Sequence, residues 1–210
     1  MGDILVKHHV MVVSDEIHED FVFRGKHQVF AAIKEEFAQI SVTCTAPSKT
    51  FNLAGLQVSN IFIPDDALRR KFEQAVAASG YSQLNTMGLV ACEAAYRYGE
   101  EWYDAVKAYI RENLTYAQHF LEEQIPQVKA VKPEGTYLLW VDFRSLGLSR
   151  KELEELIVKK AGLWLDSGDI FGAAGRGFER INVACPRSVL TEALERLARV
   201  VREKEPIVCK

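Results

Sequence analysis

A lysine in a tight turn is the first residue of the sequence that could do chemistry. Lys49 follows an apolar run over 40–44 that predicts a short buried strand, and small residues surround it. An amine in such a turn is either solvated, or used as a base or as a nucleophile toward an aldehyde. On spacing alone, a solvated loop lysine is the simpler interpretation.

An aspartate stands in a similar position after another strand. The apolar run 10–13 is typical of a parallel strand covered on both faces, and Asp15 follows it. If the two strands are neighbours, Asp15 and Lys49 reach the same sheet edge, where open α/β sheets bind ligands. There the amine could bind the aldehyde of a cofactor while the carboxylate keeps a pyridine nitrogen protonated. A surface acid and an unrelated surface base are the alternative.

Composition and charge argue against several other classes of protein. The chain has 210 residues, of which 48% are hydrophobic, enough for a sizeable globular core. Its formal net charge of −3 gives no support to nucleic-acid or membrane binding, and its apolar runs are too short for a membrane span. Residues 1–30 show no signal-peptide pattern, and the cysteines show no metal spacing, so we expect a cytoplasmic protein with reduced thiols. The four cysteines are Cys44, Cys92, Cys185 and Cys209.

Hydrophobic periodicity predicts the elements that position these residues. In the first half, helices are predicted over 26–38, 65–80 and 87–98, with a third strand over 58–63. A long helix over 101–124 has the length of one that bridges two domains. After it, strands are predicted over 128–131, 136–143, 163–165 and 180–183, with helices from a Ser149–Glu152 capping box and from Pro186. This last part predicts a small α+β domain.

Three motifs, in order along the chain, resemble a known family. They are Val-Ser-Asp-Glu-Ile-His at 13–18, Ala-Pro-Ser-Lys-Thr-Phe-Asn-Leu-Ala-Gly-Leu at 46–56, and Phe-Glu-Arg-Ile-Asn-Val-Ala-Cys-Pro-Arg at 178–187. Together they resemble the fold-type I pyridoxal-phosphate enzymes of the class I/II aminotransferase family, and most of all the MalY/PatB-type cystathionine (C–S) β-lyases.

The resemblance implies an α/β fold with three parts. Residues 1–100 would be the C-terminal part of a cofactor-binding large domain, with a mainly parallel sheet and helices. Residues 101–124 would be the long interdomain helix, and 125–210 the small C-terminal α+β domain.

The resemblance also implies a role for each site residue. Lys49 would form a Schiff base with pyridoxal 5'-phosphate and then remove the Cα proton of the substrate. Asp15 would pair with the pyridinium nitrogen and keep the ring an electron sink. Arg180 would bind the substrate α-carboxylate, with a surface arginine at a strand edge as the alternative. Arg187 is expected only to begin a helix.

Departures from the family pattern concern the rest of the cofactor contacts. His18 replaces a tyrosine that normally touches the 3'-oxygen, as it does in the lyase branch, although an ordinary loop histidine remains the alternative. Ala46 replaces a phosphate-binding Ser or Thr, so Ser48 or Thr45 would have to serve. Gln57 stands where aminotransferases often have an arginine. Phosphate binding is therefore less well supported than the Schiff base.

Two other patterns suggest sites at first sight. The glycine-rich segment 172–177 has no helical pattern after it and is expected to be a flexible loop near the active-site mouth, not a phosphate loop. Asp15, His18, Glu19 and Asp20 could be taken for a metal cluster, but no second ligand group supports it, and we expect no metal.

Three functions remain open from the sequence. The start of the chain resembles the end of a helix leading at once into a core strand, so we expect only the C-terminal half of such an enzyme. The first function is a β-lyase that releases thiol, pyruvate and ammonia from a sulfur-containing amino acid. The second is a class I/II aminotransferase, and the third is an inactive, self-associating fragment. The family suggests a homodimer, and the chain alone is expected to bind the cofactor weakly or not at all and to be inactive.

Overall fold

The computed structural model of the protein describes residues 1–81 and 83–203. They divide into two compact units, Met1–Ala105 and a second that begins at Val106, and the boundary falls inside one 25-residue helix. None of the described helices combines the length and apolarity needed to cross a bilayer. Cys44, Cys92 and Cys185 are free thiols, and Cys209 lies outside the described residues.

A three-stranded sheet organises the first unit. Its order is β1-β2-β3, with β1 parallel to β2 and β3 antiparallel to β2. The condition for Asp15 and Lys49 to reach one sheet edge, two neighbouring parallel strands, is therefore met. The strands are β1 (Val12–Asp15), β2 (Ser41–Thr45) and β3 (Asn60–Phe62). The helices are α1 (Gly2–Lys7), α2 (Phe30–Ile33), α3 (Glu35–Gln39), α4 (Pro47–Thr50), α5 (Asp66–Ala78) and α6 (Thr86–Tyr98), with a 3-10 turn at Ala54–Leu56.

The first strand is not covered on both faces, so that expectation is wrong. Burial alternates along β1, and the side chain of Val13 is 65% exposed. The physical reason is that no described element of its own unit packs over the face of the sheet that carries Val13. The apolar run indicated a strand correctly but could not show how many layers cover it.

The helix predicted over 26–38 is interrupted. Lys34 has extended backbone angles (φ −149°, ψ 148°), which end α2 and begin α3. Its ammonium group lies 2.5 Å from Asp3 Oδ1, an ion pair with α1. Phe30 and the buried Phe37 stack across the break with ring centroids 5.2 Å apart. The helical periodicity of this stretch therefore indicates the two short helices but not the break between them.

An antiparallel sheet and its helices form the second unit. The strand order is β4-β5-β7-β6, which confirms the predicted α+β character of this part. The strands are β4 (Lys129–Ala130), β5 (Leu138–Asp142), β6 (Asp166–Ser167) and β7 (Phe178–Asn182). The helices are α7 (Glu100–Gln124), which begins in the first unit, α8 (Arg150–Glu154) with a π-helical continuation at Glu155–Lys160, and α9 (Arg187–Arg202). The Ser149–Glu152 capping box is formed as predicted.

A buried asparagine ties the end of β7 to α7. Asn113 is fully buried, and its Nδ2 donates to the carbonyls of Val183 (2.8 Å) and Cys185 (2.9 Å). Its Oδ1 accepts from Arg187 Nε at 2.7 Å, and Arg187 is the first residue of α9, as expected. The connection that follows the strand of Arg180 is therefore held by side-chain hydrogen bonds.

The glycine-rich segment lies in the connection between two strands of the second unit, as expected, and its flexibility stays a prediction. Two 3-10 turns, Gly168–Phe171 and Ala173–Gly175, lie between β6 and β7. A Cβ on Gly168 would stand 2.0 Å from the Gly175 carbonyl oxygen, so the close backbone approach requires glycine. A strand follows the segment, and the predicted absence of a phosphate-loop helix after it is confirmed.

Candidate active site

The parallel register brings the two predicted site segments to one sheet edge. Asp15 is the last residue of β1 and is paired with Cys44 of β2, whose carbonyl accepts from the Glu16 amide at 2.9 Å. Asp15 Oδ1 accepts a hydrogen bond from the Ile17 amide at 3.2 Å. Its other oxygen has no partner within the described ranges, so the exposed carboxylate can accept a further donor.

Lys49 lies in the short helix that β2 leads into. Ala46 is extended (φ −161°, ψ 151°) and Pro47 begins α4, where its missing N–H costs no hydrogen bond. The side chain of Lys49 is half-buried, and it makes no hydrogen bond or ion pair to any residue that the structure describes. The amine is therefore held at the same sheet edge as Asp15 without being neutralised.

Packed neighbours fix the lysine turn. Thr50 Oγ1 donates to Asp20 Oδ2 at 2.6 Å, and the Tyr103 hydroxyl donates to the Asp20 carbonyl at 2.6 Å. The ring of Phe51 stacks on Trp102 with centroids 6.1 Å apart. Because the residues directly after Lys49 are anchored in this way, its backbone position is set by packing.

A buried carboxylate holds the loop that follows Asp15. Glu16 is 5% exposed and accepts from Ser14 Oγ (2.9 Å) and from the Phe30 amide (3.1 Å). Its other oxygen lies 2.6 Å from His27 Nε2. Burial acts to raise the pKa of Glu16, but hydrogen bonds from His27, Phe30 and Ser14 outweigh it and lower the pKa. In the sequence, the only signal of this role is that an acidic residue follows Asp15 directly.

The structure brings together a different set of acidic and histidine side chains from the one considered as a metal cluster. Among the described residues, the three side chains whose ligand atoms lie within 4.8 Å of one another are Glu16, Glu19 and His27, which is not the set considered from the sequence. The contact between Glu16 and His27 accounts for most of that convergence. Burial and the neighbouring carboxylate of Asp20 raise the pKa of Glu19.

His18 and Ser48 lie in the same two turns. Both are half-buried, and their carbonyls accept from the Phe21 amide (3.2 Å) and the Leu53 amide (3.1 Å), respectively. These bonds place the backbone of each residue. The roles of the His18 ring and the Ser48 hydroxyl toward a cofactor stay predictions.

Arg180 belongs to the second unit, on β7. Its Nε and Nη2 both donate to Asp166 Oδ2, at 3.1 and 2.7 Å, and its Cζ lies 4.7 Å from the centroid of the Phe171 ring. Nη1 makes no hydrogen bond within the described part of the chain. The end of the guanidinium formed by Nη1 and Nη2 can therefore meet another carboxylate. Asp166 was missed because only the β6–β7 register brings it beside Arg180.

The donor set at the first unit's sheet edge fits one class of cofactor. A half-buried amine without a partner suits an aldehyde carbon, and a carboxylate with an open oxygen suits a protonated ring nitrogen. A pyridoxal-phosphate enzyme of the aminotransferase type would use such a pair, placed after two neighbouring parallel strands.

Comparison with known proteins agrees with that class. The model of the family described as aminotransferase class I and II matches residues 1–197, so the chain belongs to this pyridoxal-phosphate-dependent family. Cystathionine β-lyase PatB of Bacillus subtilis is 44% identical over 198 residues, which are 94% of this chain and 51% of PatB. Protein MalY of Escherichia coli is 31% identical over 205 residues, 96% of this chain and 52% of MalY.

A solved structure shows the same fold. Cystalysin of Treponema denticola, which contains a pyridoxal 5'-phosphate cofactor, superposes with a TM-score of 0.93 at 42% identity. The match covers 96% of this chain and 52% of cystalysin. The chain thus spans about half the length of the relatives it matches.

Proposed function

We propose that this chain carries about half of a pyridoxal-phosphate-dependent C–S β-lyase. Its substrate class is cystathionine or another S-substituted cysteine, and its products are a thiol, pyruvate and ammonia. The observation that carries the proposal is the placement of Asp15 and Lys49 at one edge of neighbouring parallel strands. The similarity to a cystathionine β-lyase along 94% of the chain supports the choice of reaction.

Lys49 is the proposed base of the reaction. Its amine has no charged partner in the described structure. The hydrogen bond from Thr50 to Asp20 helps to fix the backbone of the turn from which the flexible Lys49 side chain extends. Pyridoxal phosphate, when bound, supplies a conjugated ring that takes up the electron pair left at the substrate Cα. Lys49 accepts the proton from that carbon, and Asp15 holds the proton on the ring nitrogen through a charge-assisted hydrogen bond.

The other site residues are proposed to bind and orient the substrate and the cofactor. Arg180 offers Nη1 and Nη2 to the substrate α-carboxylate while Asp166 and Phe171 hold the opposite side of its guanidinium. We assign His18 to the cofactor 3'-oxygen and Ser48 to its phosphate. In the same proposal, 1–100 belong to the cofactor-binding domain, 101–124 to the interdomain helix and 125–210 to the small domain.

An aminotransferase is the second candidate, because transfer of an amino group also begins with removal of the Cα proton. The two reactions differ afterward: in elimination the C–S bond breaks and the thiol leaves from Cβ. The motifs at 15–18 and 46–52 favour elimination, since they are the parts that resemble the lyase branch. We also propose a cytoplasmic homodimer, on the basis of family resemblance and composition.

A chimera tests the reaction. Residues 1–197 would replace the matching part of PatB, so that the remainder of PatB completes the protein. We expect pyruvate and thiol release from cystathionine, with loss of both in Lys49→Ala. Transfer of the amino group to a keto acid without pyruvate release would instead support the aminotransferase.

The 210-residue chain by itself is expected to show no turnover. Pyruvate release by this chain from an S-alkyl cysteine would contradict that expectation. If the chain forms large self-associated species and Lys49 shows no selective reaction with the cofactor, the inactive fragment is the better description.

A further inference from the structure

A buried carboxyl group lies on the opposite side of β7 from Arg180. Glu179 is 4% exposed, and because it precedes Arg180 in a strand, the two side chains point to opposite faces of the sheet. Glu179 makes no hydrogen bond or ion pair with any described residue. Burying a carboxylate without a partner has a high cost in free energy. The group is therefore either protonated or bound to a cation.

Glu179 lines a cavity of about 300 Å³ within the second unit. One part of the wall is apolar and the other part carries charged side chains. The apolar part includes Ile157, Trp164 and Ile170, and the polar part includes Arg150, Glu154 and Asp166. Trp164 is 89% exposed and Ile170 is 65% exposed, so apolar surface continues to the cavity mouth.

The charges around the cavity disfavour an anion. Burial and the carboxylates of Asp169, Asp166 and Glu154 raise the pKa of Glu179 to about 7. The nearby arginines are already matched with other acids. Arg150 Nε lies 3.5 Å from Asp169 Oδ2, and Arg180 is bound to Asp166. Glu179 and Glu154 are thus the carboxyl groups of the cavity wall without a cationic partner among the described residues, and of the two Glu179 is the buried one.

We propose that this cavity binds a small primary alkylammonium ion, with its ammonium group on Glu179 and its alkyl chain against Trp164 and Ile170. A divalent metal fits less well, since the described residues bring no three metal-ligating side chains together at this place. A zwitterionic amino acid also fits less well, because its carboxylate would lie near Glu154, a second carboxylate of the cavity wall without a described cationic partner. The proposal does not depend on the chemistry of Lys49.

Titration of the 210-residue chain with n-butylamine at pH 8 tests the site. Calorimetry should show one saturable site with a Kd on the order of 1 mM, as suits so small a ligand. Tryptophan fluorescence should change with the same midpoint and lose that change in Trp164→Phe. Lowering the pH to 5.5 should weaken binding more than tenfold, because it protonates Glu179.

Two comparisons decide between this site and nonspecific binding. Glu179→Gln keeps the shape of the side chain and should lower the affinity at least tenfold, whereas the exposed Glu192→Gln should not change it. On the unaltered chain, 1-butanol should bind at least tenfold more weakly than n-butylamine. No saturable binding, equal affinity of 1-butanol, or unchanged affinity in Glu179→Gln would overturn the proposal.

Discussion

Asp166 holds Arg180 through a single carboxylate oxygen, which accepts from both Nε and Nη2. This contact leaves the Nη1 side of the guanidinium open, and the Phe171 ring supports its face. A carboxylate that binds one side of an arginine can thus position the other side for a substrate. Within the second unit, this is the relationship on which the proposed substrate binding depends.

Asp166→Ala is expected to weaken substrate binding more than it slows the chemical step. In the chimera with PatB, KM for cystathionine should rise about 3- to 10-fold with little change in kcat, since the contact positions a binding group. Asp169→Ala is the matched control, because Asp169 contacts Arg150 and Arg176 and not Arg180. A fall in kcat at unchanged KM would argue against a positioning role for Asp166.

Loss of the Glu16 carboxylate should destabilise the loop after Asp15. Glu16→Ala leaves the Phe30 amide and the His27 ring without their partner, at a cost of about 2–3 kcal/mol in the free energy of unfolding. Urea denaturation checks this value, with the exposed Glu35→Ala as a control. Equal stability of the two variants would show that the hydrogen bonds contribute nothing.

The lowered pKa of Glu16 adds a pH dependence to this stability. Its folded-state pKa is below the ordinary value of 4.5, so its contribution is present above pH 4.5 and is lost as the pH falls through the folded-state pKa. Glu16→Gln should therefore lose less stability than the unaltered chain between pH 5 and pH 3. Parallel pH profiles of the two proteins would contradict this assignment.

Glu179 should have the opposite effect on stability. Its pKa is raised from 4.5 to about 7, so the folded chain binds more protons than the unfolded chain in that range, and stability falls as the pH rises through it. Above pH 7, this difference in pKa lowers the free energy of unfolding by roughly 3 kcal/mol. Glu179→Gln should remove this decline and stabilise the chain at pH 8, as measured by denaturant unfolding between pH 5 and pH 8. A decline that persists in the variant must come from another group.

Much of the fold follows from local sequence patterns. The strands β1 and β2, the Ser149–Glu152 capping box and the antiparallel second unit follow from periodicity and turn residues. The pairing of β1 with β2 is visible only in the structure. The break at Lys34 and the exposure of Val13 do not, because each depends on what packs nearby in space.

The candidate site likewise contains residues that the sequence indicates and residues that it does not. Lys49, Asp15 and Arg180 stand in motifs that can be read directly from the chain. The supporting contacts cannot be read in this way. Asp166 lies 14 residues from Arg180 and His27 lies 11 residues from Glu16, and strand register or loop folding brings each pair together. No spacing rule connects such pairs, so the sequence did not indicate them.

Asn113 should be the most sensitive polar residue of the second unit. Asn113→Ala would leave the Val183 and Cys185 carbonyls and the Arg187 guanidinium without their hydrogen bonds in a buried place. We expect a loss of about 2–4 kcal/mol in the free energy of unfolding. Thermal and urea unfolding measure it, with Thr115→Ala on the exposed face of α7 as the control. A loss below that of the control would show that water replaces these bonds without cost.

Selective reaction of Lys49 with the cofactor tests the central claim most directly. The 210-residue chain would be incubated with excess pyridoxal phosphate, reduced with borohydride and mapped by peptide mass spectrometry. Although the affinity is expected to be low, Lys49 should carry the pyridoxyl group several-fold more often than exposed lysines such as Lys129, and Lys49→Ala should lose the visible absorption band. Labelling of Lys49 no greater than that of Lys129 would contradict the assignment of this lysine as the cofactor-binding residue.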